Sequence, residues 1–130
     1  ARARAALAAA GLQPPAATAL ATEYGIEGDL LAALSERGDL VRAGPDAVFL
    51  PEAVERFGVA VIDELAAAGR ITVARARDLT GSSRKHVLPL LQFLDDRGLT
   101  RRLGDDRVLV LDAKEARARL ARAVKREDRP

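Results

Sequence analysis

The sequence repeats itself at an interval of sixty residues, and this repeat limits the folds that the chain can adopt. Aligning residues 31–50 with residues 91–110 gives eight identical positions out of twenty. Each copy holds an apolar helical stripe that ends at a glycine, followed by two β-prone runs joined by a glycine-containing turn. Each copy is therefore predicted to form a helix that leads into a two-stranded hairpin. The identical pairs are Leu31 and Leu91, Leu34 and Leu94, Arg37 and Arg97, Gly38 and Gly98, Arg42 and Arg102, Gly44 and Gly104, Asp46 and Asp106, and Val48 and Val108.

Two further helical segments precede each copy. They span about 2–10 and 16–23 in the first unit, and about 52–68 and 73–80 in the second. Pro51 suits the first position of a helix, and Asp112 with Glu115 resembles a capping box that opens a last helix. Three helices and a hairpin follow the order of a winged helix-turn-helix module. The predicted fold is mainly α with small β-hairpins: two tandem winged helix-turn-helix modules at 1–50 and 51–124, and a frayed tail at 125–130.

Composition excludes several classes of function. The chain of 130 residues has no cysteine and a single histidine, so disulfides and thiolate metal sites are excluded and a zinc site is disfavoured. No apolar run approaches the length of a membrane span, and no acid, base and nucleophile stand at catalytic spacing. We therefore expect a soluble, cytoplasmic, monomeric protein that is not an enzyme and holds no metal or cofactor.

Charge is divided unevenly along the chain. Residues 23–64 contain ten acidic side chains and three arginines, whereas residues 70–107 contain nine basic and five acidic side chains. Such asymmetry indicates a polyanionic partner for the second module only, because phosphate repels the acidic first module.

A cationic helix start is the strongest candidate site in the second module. Ser82 or Ser83 is predicted to cap a helix by accepting a hydrogen bond from a backbone N–H group two or three residues later. The remaining free N–H groups and the helix dipole attract an anion, and Arg84 and Lys85 follow at once. Cations are unfavourable at a helix N-terminus unless an anion lies there, so phosphate is the expected ligand. Solvated charges without a ligand are the alternative.

The rest of this helix and the following hairpin complete the candidate surface. We expect Val87, Leu88, Leu91 and Leu94 to face the core, and Pro89 to bend the helix or disturb its first turn. Strand residues alternate between faces, so only one of Arg101 and Arg102 is expected on the surface of Arg84 and Lys85. Arg107 either extends this surface or pairs with Asp105 or Asp106. His86 is interpreted as a partly exposed filler, because no catalytic partner stands beside it.

The second module also resembles a known family. The motif Gly81-Ser82-Ser83-Arg84-Lys85 with Leu88-Pro89-Leu90-Leu91, and then Thr100-Arg101-Arg102-Leu103-Gly104-Asp105-Asp106-Arg107, is similar to the last winged-helix module of bacterial selenocysteine-specific translation elongation factors. Gly11-Leu12-Gln13-Pro14-Pro15 and the hairpin at 40–50 resemble the module before it. The family tends to have an aromatic residue where this chain has His86.

The resemblance implies a function and a set of contacts. In that family these modules hold the messenger RNA hairpin, called SECIS, that directs selenocysteine incorporation at UGA. The full-length factor is a GTPase that acts on the ribosome; no phosphate-binding loop motif occurs here, so this chain is expected to be the RNA-binding end only. The residues implied in RNA binding are Ser82, Ser83, Arg84, Lys85, His86, Arg101, Arg102, Arg107, Arg70 and Arg75.

Two other classes of function remain open at this stage. A winged-helix transcription factor places its helix in a DNA major groove, usually as a dimer, although Pro89 and the short cationic face disfavour deep insertion. A protein-binding scaffold would use the acidic first module, and charge reversal at Glu36 or Asp39 would then abolish binding. Competition between an RNA hairpin and duplex DNA distinguishes the first alternative from RNA binding.

Overall fold

A computed structural model describes residues 41–43 and 48–124 of the chain. The helices predicted at 2–10 and 16–23, the side chains of Glu36 and Asp39, and the tail at 125–130 lie outside the described residues. The described elements run in the order β1 (Val41–Arg42), β2 (Val48–Phe49), α1 (Pro51–Ala68), α2 (Val73–Thr80), α3 (Arg84–Asp96), β3 (Thr100–Leu103), β4 (Asp106–Leu109) and α4 (Ala113–Ala123).

Helix α1 is the first element of the second module, and it begins two residues after the first hairpin ends at Phe49. Pro51 occupies the first turn of the helix, where its missing N–H group costs no hydrogen bond. The helix ends at Gly69, whose φ of 88° lies in the left-handed region and whose N–H group donates to the Leu65 carbonyl at 2.8 Å. The stripe predicted from the sequence is buried in the core: Val54, Phe57, Val61, Ile62 and Leu65.

Helices α2 and α3 form the helix-turn-helix pair. The Thr72 hydroxyl caps α2 by accepting from the Arg75 N–H group at 2.9 Å. Helix α3 continues through Pro89, so the predicted disturbance does not interrupt it. One lost backbone hydrogen bond is tolerated because the apolar face on both sides of the proline is buried. That face consists of Val87, Leu90, Leu91 and Leu94.

Leu88 corrects one expectation, because its side chain is 41% exposed and does not face the core. On a helix the buried face recurs at intervals of three and four residues. Leu90 fits that spacing relative to Val87 and Leu94, whereas Leu88 is rotated away from it. The sequence predicts Leu88 on the buried face together with Val87, Leu91 and Leu94, and Leu88 is the one of these four that is exposed.

Strands β3 and β4 form the wing, an antiparallel hairpin in which Thr100 pairs with Leu109 and Leu103 pairs with Asp106. Ile71 adds a bridge on the other side of β4, with backbone hydrogen bonds of 2.9 and 3.1 Å to Arg107. The chain between α1 and α2 is thereby attached to the wing. In the first hairpin Val41 pairs with Phe49, one residue later than a strict sixty-residue repeat of the wing predicts.

Helix α4 packs across α1 and completes the module. Asp112 caps it by accepting from the Glu115 N–H group at 2.8 Å, as the sequence predicts. Leu120 and Val124 are buried, and Leu120 packs directly over Gly58 of α1. A methyl group at position 58 would collide with Leu120, so this glycine permits the close approach of the two helices. Within the described part of the chain, no helix is long and apolar enough to cross a membrane.

Candidate nucleic-acid interface

The start of α3 carries the cationic motif found in the sequence. Ser83 is the N-cap residue, in an extended conformation with φ −86° and ψ 159°, and Arg84 and Lys85 are the first two helical residues. The Lys85 side chain is exposed and makes no hydrogen bond or ion pair with any described residue. The side chain of Arg84 lies outside the described part of the structure. The first turn therefore presents one free ammonium group beside the positive end of the helix dipole.

His86 is buried, which differs from the partly exposed position predicted for it. Only 9% of the residue is exposed, and its ring meets the Phe49 ring edge to face, with centroids 6.0 Å apart. Burial, and secondarily the charge of Lys85, lowers the pKa of His86 below its ordinary value of 6.5. Its Nδ1 atom lies 2.9 Å from the Ser83 hydroxyl oxygen. A neutral imidazole therefore connects the first hairpin to the start of α3, and direct contact of His86 with RNA is disfavoured.

The serine pair does not cap the helix in the way the sequence predicts. Ser83 occupies the N-cap position, but its hydroxyl accepts no bond from the N–H groups of the first turn. The same hydroxyl instead makes the contact with His86. Ser82 is only 5% exposed, so its side chain is not available on the surface that Lys85 presents. The structure therefore assigns Ser82 to the interior and Ser83 to the contact with His86.

The wing presents Arg102 and Arg101 on opposite faces. The Thr100 hydroxyl donates to Asp95 Oδ1 of α3 at 2.6 Å, so the face of β3 that carries Thr100 is turned toward α3. Arg102 shares that face because it follows two residues later, whereas Arg101 is on the other face. Of the two arginines, Arg102 therefore shares a surface with α3.

A groove lies between the wing and the two helices of the helix-turn-helix pair, and we call it the wing groove. Leu88 contributes an apolar surface to it, and Lys85 lies one helical turn before Leu88 on the same face of α3. Basic, acidic and apolar groups thus meet along one side of the module. The lining residues are Thr72, Val73, Leu88, Arg102, Asp105 and Asp106.

Arg107 does not lie on this surface, and its predicted contact with RNA is corrected. Its residue exposure is 3%, and its Nε group donates to Asp95 Oδ2 at 3.0 Å. A second guanidinium nitrogen is 3.4 Å from the Asp105 carbonyl oxygen. The alternative predicted from the sequence was pairing with the side chain of Asp105 or Asp106, which are nearby in sequence. The actual partner is Asp95, which lies near the end of α3 and reaches Arg107 on β4.

The two flanking arginines are exposed but paired with carboxylates. Arg70 Nε lies 2.8 Å from Asp106, and Arg75 makes two hydrogen bonds to Glu64, at 3.0 and 3.3 Å. The bonds from Arg75 lower the pKa of Glu64, and the same pairing raises the pKa of Arg75. Arg102 is similarly paired with Asp105 at 3.2 Å.

The pairing of these arginines does not remove them from a candidate interface. Exposed ion pairs contribute about 0 to 1 kcal/mol, so a phosphate can replace the carboxylate at low cost. Within the described residues, Lys85 and Arg101 have no ion-pair partner, and only Arg107 is both buried and paired. Of these exposed cations, Lys85 and Arg102 lie on the α3 side of the wing, and Arg101 lies on the other side.

Two residues of this region were not predicted as part of the site. Asp95 joins Thr100 and Arg107 to the end of α3, and Leu88 supplies apolar surface to the wing groove. The signal for Asp95 was an acidic residue at the end of a helix, where negative charge is unfavourable without a partner. No cluster of three potential metal-ligating side chains occurs within residues 41–43 and 48–124.

Comparison with known proteins gives a consistent result. The family model described as "Elongation factor SelB, winged helix" matches residues 63–109. The mRNA-binding domain of elongation factor SelB from E. coli, solved in complex with SECIS RNA, is 26% identical with a TM-score of 0.64, covering 71% of this chain and 79% of that chain. A bacterial selenocysteine-specific elongation factor, EF-Sec, is 30% identical with a TM-score of 0.57, covering 69% of this chain and 15% of that chain. No curated protein matches the sequence.

These matches confirm the predicted resemblance and the winged-helix fold. Residues 63–109 run from the second half of α1 through β4, so the match contains α2, α3 and the wing. It includes Lys85 and Arg102 on the α3 side of the wing. The chain spans a small part of EF-Sec and most of the SelB mRNA-binding domain.

Proposed function

We propose that this chain is the RNA-binding end of a selenocysteine-specific elongation factor. Its ligand is the messenger RNA hairpin that directs selenocysteine incorporation at UGA. The observation that carries the proposal is the similarity to the SelB mRNA-binding domain, whose structure was solved in complex with SECIS RNA. In this proposal the fragment is a monomer that binds RNA and performs no chemistry. It meets the ribosome, in the cytoplasm, only through the full-length factor.

The helix start and the wing together form the proposed contact surface. The A-form major groove is too deep and narrow for side chains, so proteins read RNA hairpins through loops, bulges and backbone shape. The α3 N-terminus suits such a loop, because N–H groups at a helix start attract phosphate. Lys85 and Arg84 supply cations at this point, and Arg102 adds a second position across the wing groove.

The remaining cations have smaller proposed roles. Arg70 and Arg75 flank the surface, and they gain access to phosphate by exchanging Asp106 and Glu64 for it. Arg101 belongs to the far side of the wing. The division into an acidic module at 1–50, which acts as a spacer or protein contact, and a basic module at 51–124 is part of the same proposal.

The test is the salt dependence of binding to a SECIS RNA hairpin. We expect the double substitution Arg84→Ala with Lys85→Ala to weaken binding and to reduce the slope of log affinity against log salt. Each lost phosphate contact lowers that slope by about 0.7 to 0.9. Lys114→Ala is the matched control, because Lys114 is an exposed lysine at the start of α4, outside the proposed surface.

Two competitors separate this proposal from the alternatives. Duplex RNA of the same composition and duplex DNA are added in excess to the labelled hairpin. Hairpin binding that survives both competitors supports the proposal. Equal competition by duplex DNA supports a DNA-binding winged helix, and an unchanged affinity and slope in the double variant refutes the assigned surface.

A further inference from the structure

The N-cap of α3 differs from the two other N-caps in this module that have a polar side chain. The Thr72 hydroxyl accepts from the Arg75 N–H group at 2.9 Å, and Asp112 accepts from the Glu115 N–H group at 2.8 Å. Ser83 has the residue type and the extended backbone of a capping residue, yet its hydroxyl makes no capping bond. The difference coincides with the contact to His86, whose Nδ1 is 2.9 Å from the same hydroxyl.

The position of His86 fixes this contact. The ring is held on one side by its packing against Phe49 of β2, and 9% of the residue remains exposed. In a neutral imidazole, Nδ1 either accepts from the hydroxyl or donates to it, depending on the tautomer. In either tautomer the Ser83 oxygen lies beside the ring, and in that position it accepts no bond from an N–H group of the first turn.

The His86 N–H group already donates to the Ser83 carbonyl at 3.1 Å, whereas the Lys85 N–H group has no acceptor among the described residues. We propose that His86 is a positioning residue that keeps the Ser83 hydroxyl from capping α3, so that the Lys85 N–H group remains available to an RNA phosphate. The inference rests on the proposed function, because it assumes that phosphate meets this helix start. His86 makes no contact with RNA in this mechanism. It acts through Ser83, and Phe49 of the first hairpin holds it in place, so the first hairpin contributes to RNA binding without touching RNA.

Two substitutions with similar helix propensity separate the parts of this mechanism. His86→Phe keeps an aromatic ring against Phe49 and removes the partner of the Ser83 hydroxyl. His86→Asn removes the ring and keeps an acceptor at the δ position. We expect His86→Phe to weaken binding of a SECIS RNA hairpin about tenfold, the effect of one lost hydrogen bond to a charged group. We expect His86→Asn to bind within about threefold of the original chain.

Ser83→Ala provides the decisive arm. On its own it should leave hairpin affinity within about twofold, and in the His86→Phe background it should restore the affinity, because no hydroxyl then competes with phosphate. A loss of affinity in Ser83→Ala alone shows that the hydroxyl contacts RNA directly and overturns the inference. A loss in His86→Phe that Ser83→Ala does not restore overturns it as well.

Amide hydrogen exchange of the free protein tests the mechanism without RNA. In His86→Phe we expect one first-turn amide of α3 to exchange about fivefold more slowly, as one new N-cap bond predicts. Ser83→Ala should leave those amides unchanged, whereas Thr72→Ala and Asp112→Ala should accelerate exchange at Arg75 and Glu115. If Ser83→Ala accelerates exchange as these controls do, Ser83 already caps the helix and the inference is wrong. Failure of the original chain to bind the hairpin instead refutes the proposed function, and the exchange result still decides the role of His86.

Discussion

The ion pair of Arg107 with Asp95 connects the wing to α3, and its removal gives the sharpest prediction of stability. Arg107→Met keeps most of the length of the side chain and removes the guanidinium group. The substitution leaves the Asp95 carboxylate with the Thr100 hydroxyl as its remaining hydrogen-bond donor within the described residues. Because both side chains are mostly buried, at 4% and 13% exposure, water cannot easily replace the lost partner.

The expected cost follows from that burial. Breaking a buried pair by removing one partner costs about 3 to 5 kcal/mol, because an uncompensated charge remains in the interior. The pair of Arg102 with Asp105 lies on the same hairpin, but its side chains are 59% and 94% exposed. Removing an exposed pair costs at most about 1 kcal/mol. Arg102→Met is therefore a matched control with the same chemical change and a different environment.

Urea unfolding of the three proteins measures both costs. We expect Arg107→Met to lower the free energy of unfolding by at least about 2 kcal/mol more than Arg102→Met does. Adding Asp95→Leu to Arg107→Met should recover part of the loss, because the unpaired carboxylate is removed. A cost for Arg107→Met equal to that of Arg102→Met would show that the pair is solvated and that the reasoning from burial is wrong.

Three further predictions concern the imidazole, the contact between helices and the wing. The pKa of His86 is lowered in the folded protein, so the unfolded chain binds a proton first as the pH falls. The free energy of unfolding should therefore decrease below pH 6.5, by at most about 1.4 kcal/mol per pH unit. Urea titrations of the original chain and of His86→Asn at several pH values isolate this effect. Gly58→Ala should lower the free energy of unfolding by about 1 to 3 kcal/mol in thermal unfolding, and adding Leu120→Val should recover part of that loss. An unchanged free energy of unfolding in Gly58→Ala would contradict the close packing of the two helices. Arg102→Ala should reduce hairpin affinity more than Arg101→Ala does in the same binding assay, and the reverse order would place the interface on the other face of the wing.

The sequence predicted the elements of the second module well, because each of them has a strong local signal. Pro51 and Gly69 limit α1, and Asp112 with Glu115 marks the start of α4. The five apolar residues of α1 repeat at helical spacing, and such a pattern has one simple explanation, burial on one face. The wing followed from the glycine turn between two β-prone runs. These features depend on residues close together in sequence.

Apart from Leu88, whose exposure follows from its position on the helix, the errors concern contacts that the local pattern does not encode. Arg107 pairs with Asp95 twelve residues away, and His86 packs against Phe49 from the first hairpin. Ser83 has the residue type of a helix cap, and the sequence gives no sign that His86 would compete for its hydroxyl. Local chemistry thus predicted a group of polar residues for the site, and their contact with RNA stays a prediction. It could not tell which of them face solvent.

If the proposed function holds, the carboxylates beside Arg102 and Arg70 determine which RNA this surface can bind well. A phosphate that meets Arg102 alone exchanges Asp105 for another anion, and a phosphate at Arg70 exchanges Asp106, so each single contact gains little free energy. Lys85 has no carboxylate partner among the described residues, so a phosphate that binds it replaces no other anion. A net gain therefore requires an RNA that reaches the helix start and the wing at the same time, with its shape already formed, because ordering a flexible strand costs conformational entropy. On the proposed function, we therefore expect the ion pairs to favour a folded hairpin over unstructured RNA of equal charge.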